Sequence, residues 1–406
     1  MQPEIMLIFA AILILALLFP WMEGLCKNNR YLIITALALG LAFALRAFFM
    51  DYQSGDYNVF LTKWVDYFRN SGGFSGLSSS IGNYNLPYLY FLALFSYLPS
   101  SDLHLIKLLS ILFDVILAFG MMKLCGVFTR SAPKRLAAYL ITLLLPTVIL
   151  NGAMWGQCDS IYVAFAILAF WLVLTDRPKL SMVCMALSFG FKLQAVFIMP
   201  LYLVLLFAKK IKFWHYLIFP LTYIVEIIPA VAMGRPFLDA FLLYFRQAGT
   251  VGSGLNYNSP SIFALFPSGV NTAALSAVGI LLAFLFVFLI FLRTYKHRNS
   301  LNNEALLGVA LLFAVGIPFL LPHMHDRYFF MADVLTLLPA VLYARYAPIT
   351  ILTSFASGLC YYSYLNQAYL LPISYGAIAL IGVLIIVFTF TEERLSTRNH
   401  KIKRLS

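Results

Sequence analysis

Apolar runs of roughly 17–22 residues recur along the whole chain, each long enough to cross a bilayer as a helix. They predict helical spans at roughly 5–24, 31–49, 104–124, 137–151, 159–175, 180–194, 195–208, 213–232, 270–292, 303–321, 327–344, 347–366 and 371–390. Helix is the expected form because backbone groups in lipid must be satisfied within the segment. The short alternating segments of a β-barrel do not occur. The expected fold class is an all-α integral membrane protein with about 13 transmembrane helices. It forms one polytopic domain over 1–390 and a basic tail over 391–406.

Two stretches break the pattern. The first, 50–103, opens with DYQSGDYNVFLTKWVDYF, an amphipathic pattern that predicts an interfacial helix. A Gly/Ser loop, SGGFSGLSSSIGN, leads to NYNLPYLYFLALFSYLP, a second helix too short to span. The second stretch, 233–269, mixes aromatics with Gly, Pro and Asn. Long loops without their own core are usually functional.

Charge then orients the layout. Only 11% of residues are charged, against about 25% in soluble domains. Twenty of the 28 Lys and Arg fall on alternate loops, from Lys27 and Arg30 through Lys123, Arg135, Lys179, Lys210, Arg293 and Arg345 to a tail ending in Lys403 and Arg404. The positive-inside rule makes these loops cytoplasmic and puts 50–103 and 233–269 outside. The net charge of +12 is therefore topology, and no nucleic-acid partner is expected. The first apolar run has Glu4 and no Lys or Arg before it, which reads as a retained span with its N-terminus outside. The five cysteines lie in or near apolar runs without metal spacing and read as small hydrophobes.

Chemistry is concentrated on the outer side. Asp51, Asp56 and Asp66 follow the second span, where a carboxylate can act as a general base or simply cap a helix. The segment PHMHDRYFF brings together His323, His325, Asp326 and Arg327, a set suited to gripping phosphate. His-x-His plus Asp is also a possible metal set. No cofactor is assigned, and a divalent metal remains an open alternative. Lys192 stands in an apolar stretch and is either functional or snorkelling. Gln157 and Asp159 open a span, where an acid is commonly an N-cap. Asp114, Glu226 and Asp333 fall in or near spans and are candidates to pair with Arg46 or Lys107.

Taken together, GDY at 55–57, NYNLPY at 83–88, WGQCDS at 155–160, FKLQAVFIMP at 191–200, NYNSPSIFALFP at 256–267 and HMHDRYFF at 323–330 resemble the GT-C class of membrane glycosyltransferases. The resemblance is nearest to bacterial proteins related to the GPI mannosyltransferases and covers most of 30–345. It implies a GT-C fold and an inverting transfer of one hexose, such as mannose. The donor would be a polyprenyl-phosphate sugar, and the acceptor a lipid-linked or envelope glycan. The site would face outside on a bacterial plasma membrane, with the C-terminus cytoplasmic. Asp56, or Asp51 as fallback, would be the base. His323, His325, Arg327, Lys192, Gln157, Asp159 and Tyr57 would bind substrate. The rival readings are a transporter or flippase of lipid-linked sugars, for which no internal repeat is visible, and a glycan polymerase or ligase.

Overall fold

A computed structural model describes residues 2–82, 84–248, 252–267 and 269–402, with side chains of 247–248 and 396–402 left aside. Asn83 of the NYNLPY motif, 249–251 and 268 of the second loop, and Lys403 and Arg404 of the tail lie outside the described residues.

The chain is helical nearly throughout. Helices α1 (Pro3–Met22) and α2 (Asn29–Phe49) precede the short α3 (Thr62–Asn70) and α4 (Leu86–Phe95). The 27-residue α5 (Asp102–Phe128) is followed by α6 (Ala132–Leu144) and α7 (Pro146–Ile149). Next come α8 (Asp159–Leu174), α9 (Pro178–Phe191), α10 (Leu201–Phe207) and α11 (Ile218–Ala232). Two very short helices, α12 (Phe237–Phe241) and α13 (Leu243–Ala248), lead to α14 (Thr272–Lys296) and α15 (Asn303–Leu320). The chain closes with α16 (Phe330–Leu335), α17 (Leu337–Leu342), α18 (Ala347–Asn366) and α19 (Ile373–Ile402). A two-residue parallel ladder joins β1 (Asn256–Tyr257) to β2 (Met324–His325).

Helical structure stands at all thirteen predicted positions, but the crossings are not equal. Among the described residues seven helices are long and apolar enough to span: α1, α2, α5, Phe213–Ala232, α14, α15 and Ile373–Leu395. An eighth is the pair Ala132–Leu144 and Pro146–Trp155, bent by 47° at Leu145. Proline at position 146 explains the break, since its ring disfavours helical backbone at the residue before it. The stretches 159–175, 180–194, 195–208 and 327–344 form shorter apolar helices of 10–17 residues. The chain is a multi-pass membrane protein with α5 and α15 at its centre, each with 83% of its apolar window buried. The peripheral α1 and α14 bury only 22% and 17% and turn large side chains such as Leu7 and Phe284 outward.

Helices in lipid gain little from hydrophobic burial against one another, so close packing and polar contacts hold them. A Cβ on Gly308 would lie 2.4 Å from Thr391 of α19, and one on Gly316 would lie 2.4 Å from Phe286 of α14. Arg46 of α2 meets Asp114 of α5 through Nε at 3.0 Å and Nη2 at 2.8 Å, with both side chains fully buried. Arg46 also reaches the Leu143 carbonyl, and Asp114 accepts from Ser160. This pair therefore ties α2, α5, α6 and α8 together.

The two ends of the bundle differ. At one, Glu23 takes Lys123 and Arg135, Glu304 takes Arg394, and Arg293 pairs with Glu392. At the other, with Lys107 about 24 Å from Lys123 along α5, Lys107 donates to the carbonyls of Phe49, Met50 and Tyr52 and so caps α2. Arg46→Met or Asp114→Leu alone leaves a buried charge unpaired, and each should destabilise by about 3–5 kcal/mol. The double variant should recover much of that loss, as read by thermal unfolding in detergent. Simple addition of the two single effects would show that the pair does not hold the helices.

Candidate functional site

The capped end of the bundle carries the buried polar residues that the sequence singles out. Ser54 begins the local geometry. Its hydroxyl donates to the Trp155 carbonyl at 2.6 Å and accepts from the Tyr57 amide at 3.2 Å, starting the turn that carries Asp56. An acid in a first helical turn is favoured by the helix dipole. A π-helical stretch, Tyr57–Leu61, follows, and another, Leu150–Trp155, brings in the facing wall. Such bulges frequently mark functional positions. Gly156 has φ +79°, a left-handed turn that would strain other residues, and it lets Trp155 and Gln157 both reach one carboxylate.

That carboxylate is Asp56. Its Oδ2 accepts from Trp155 Nε1 at 2.9 Å and Gln157 Nε2 at 2.5 Å, and its Oδ1 accepts from the Tyr364 hydroxyl at 2.7 Å. Trp155 and Tyr364 stack with centroids 4.0 Å apart, and the Arg327 guanidinium lies 5.3 Å from the Trp155 ring. Arg327 Nη1 is 3.6 Å from Asp56 Oδ2 and 3.6 Å from Asp326 Oδ1, while its Nε is 3.8 Å from Asp159 Oδ2. Lys192, the C-cap of α9, pairs with Asp159 Oδ1, and Asn151 donates to Asp159 Oδ2 at 2.7 Å. Tyr84 closes the network by donating to Gln157 Oε1 at 2.8 Å.

Thus Asp56, Arg327, Lys192, Gln157 and Asp159 share one network. His325 stands beside it, its ring stacked on Tyr257 at 4.8 Å across the small ladder. Burial, with Arg327 and Lys192 nearby, lowers its pKa to about 4, so it is neutral at pH 7. Burial raises the Asp326 carboxyl to about 7 against the opposing pull of Arg327.

Three expected residues are engaged elsewhere. Asp51 is largely exposed and pairs with His104 Nε2 at 2.8 Å, so that of the two candidate bases only Asp56 stands beside Arg327. His323, at φ +60°, meets the Gly254 carbonyl at 2.6 Å and Ser276 at 3.3 Å, fastening the second loop to α14. Tyr57 faces Asp102 at 3.3 Å. Trp155, Tyr364 and Tyr84 are the additions the structure makes. Among the described residues no cluster of three or more His, Cys, Asp or Glu is arranged to hold a metal. No protein-family model matches the chain, and no curated protein matches it.

The two shifted groups pull stability in opposite directions with pH. Asp326, raised from 3.8 to about 7, contributes stability present below pH 3.8 and lost as pH rises through 7. His325, lowered from 6.5 to about 4, contributes stability present above 6.5 and lost as pH falls through 4. Each can contribute a slope of up to ~1.4 kcal/mol per pH unit. Between pH 4 and 6.5, Asp326→Asn should become more stable with rising pH relative to the parent, and His325→Phe less stable. Parallel curves for the parent and both variants in urea titrations would contradict these protonation states.

Proposed function

We propose that the chain is an inverting glycosyltransferase that moves one hexose from a polyprenyl-phosphate carrier to a lipid-linked or envelope glycan acceptor. The single observation carrying this reading is the convergence of Asp56 with the Arg327 guanidinium and the Lys192–Asp159 pair at one end of an apolar bundle. In this reading the fold is of the GT-C kind. The thirteen helical segments traverse the membrane, and the end rich in Lys123, Arg135 and Arg293 is cytoplasmic, as is the C-terminus. The Asp56 end faces outward on a bacterial plasma membrane.

In the reaction the acceptor oxygen attacks the anomeric carbon as its proton passes to Asp56. The bond from that carbon to the phosphate oxygen breaks, and polyprenyl phosphate leaves with the electron pair. Arg327 and Lys192 offset the charge that grows on the phosphate, and fixed charges aimed at developing charge are usually the largest catalytic contribution. His325, neutral, can supply a hydrogen bond but no charge. Of the acids that would suit the transporter alternative, the buried Glu226 carboxylate has no hydrogen-bond partner among the described residues, whereas the other two are engaged. Asp114 is locked by Arg46, and Asp333 accepts from Ser357 at 2.9 Å.

Transfer is assayed from a radiolabelled polyprenyl-phosphate hexose with the purified full chain. Asp56→Asn should lower turnover by about 10²–10⁴-fold, and Arg327→Gln by about 10²–10³-fold. Near-normal turnover in Asp56→Asn would reject the carboxylate as base.

A further inference from the structure

Arg235 is a second buried guanidinium at the Asp56 end, and the transfer chemistry makes no use of it. It is 3% exposed, and no carboxylate lies within ion-pair distance of it among the described residues. Its Nη2 donates to the Ser80 hydroxyl at 2.6 Å, and its Nε is buried without a hydrogen-bond partner. The nearby Asp239 is already paired with Arg246 at 2.6 Å, so two guanidinium groups share one carboxylate. Among the described residues the guanidinium makes no hydrogen bond to the carbonyls at the end of α11, so the helix dipole offsets only part of the remaining charge.

Backbone geometry fixes Arg235 in this place. The Gly234 amide donates to the Val231 carbonyl at 2.9 Å and the Arg235 amide to the Ala230 carbonyl at 3.1 Å. With Gly234 at φ +101°, this is the double-bonded helix end that glycine permits. It directs Arg235 against the Gly/Ser segment, whose Ser78 Cβ is 3.8 Å from where a Gly234 Cβ would stand. A planar guanidinium beside a serine hydroxyl matches the oxygens of a phosphate. The residues that follow are apolar and uncovered: Phe237 is 45% exposed, Leu238 64% and Phe245 77%.

We propose that Arg235 and Ser80 form a second anion site, separate from Asp56 and Arg327, that takes the phosphate head of an amphiphilic lipid while Phe237, Leu238 and Phe245 lie against its tail. The anion supplies the charge that Asp239 and Arg246 leave unbalanced. The site does not depend on any transfer reaction.

Native mass spectrometry of the full chain in detergent tests this with dioctanoyl phosphatidic acid as probe. Inorganic phosphate and dioctanoylglycerol separate head from tail. The parent should take up the lipid phosphate in preference to both, and Arg235→Gln should weaken that uptake at least tenfold. Arg235→Lys, which keeps the charge and loses the fork, should fall between them, and Ser80→Ala should weaken uptake without altering thermal unfolding. Parent-like uptake in folded Arg235→Gln, or in both Arg235→Lys and Ser80→Ala should Arg235→Gln fail to fold, overturns the site. Equal competition by inorganic phosphate overturns the lipid as its ligand. Arg327→Gln separates the two sites: uptake lost there and kept in Arg235→Gln overturns this one alone.

Discussion

Arg327 stands among three carboxylates in an end of the molecule where little water reaches, and the surrounding structure has to keep that charge in balance. Asp56 and Asp326 are each 3.6 Å away and Asp159 is 3.8 Å away, while Lys192 adds a second cation through Asp159. Fully ionised, the group would carry two positive and three negative charges. Burial lifts Asp326 to about 7, so below that pH its proton brings the set to neutrality. Desolvated charges left unbalanced would cost several kcal/mol each. The Ser54 turn, the Gly156 turn and the two π-helical stretches are therefore parts of one device that brings compensating groups within reach.

Two arginines of this bundle illustrate different uses of one side chain. Arg46 is held by Asp114 through two hydrogen bonds and by two backbone carbonyls, so every change at it would break a formed contact. Among the described residues Arg327 has no carboxylate within hydrogen-bond distance, and its Nε has no hydrogen-bond partner. Its neighbours attract it without fixing it in a fork. A phosphate oxygen could take its N–H groups without first displacing a bidentate partner, which is what a binding arginine requires and a structural one avoids.

Much of this was legible in the sequence because its causes are local. Apolar runs of spanning length predict helices and helices stand there, but the span read through 137–151 is broken at Pro146, and only the structure shows that Lys192 pairs with Asp159. The resemblance assigns Asp56 and Arg327 to one site although they lie in loops some 270 residues apart, and the two stand 3.6 Å from each other. What escaped was set by tertiary contact. Tyr364 lies in a run of tyrosines that reads as an interface belt, and only the packing of α18 aims one hydroxyl at Asp56. Trp155 was visible within its motif, yet nothing in its spacing distinguishes an indole donor from a membrane anchor. His323 and Asp51 illustrate the converse: residue type suited the chemistry, but a left-handed backbone and a competing His104 direct them elsewhere.

The donors around Asp56 also constrain how a base there could work. A carboxylate has about four acceptor directions. On Oδ2, Trp155 and Gln157 occupy two and the Arg327 charge faces the same atom, so a proton placed there would break bonds and oppose a cation. Oδ1 accepts only from Tyr364 among these groups and keeps one direction open. On the proposed reading the acceptor hydroxyl must therefore approach Oδ1, with the Tyr364 ring at its side and the phosphate on the Arg327 side. The stack of Tyr364 on Trp155, with Arg327 beyond the same indole, would then set the spacing between the proton acceptor and the leaving group. Rigid aromatic rings suit that task because they carry few rotamers to lose, which gives a physical reason for tyrosine and tryptophan at positions where a shorter hydroxyl or amide could also have donated.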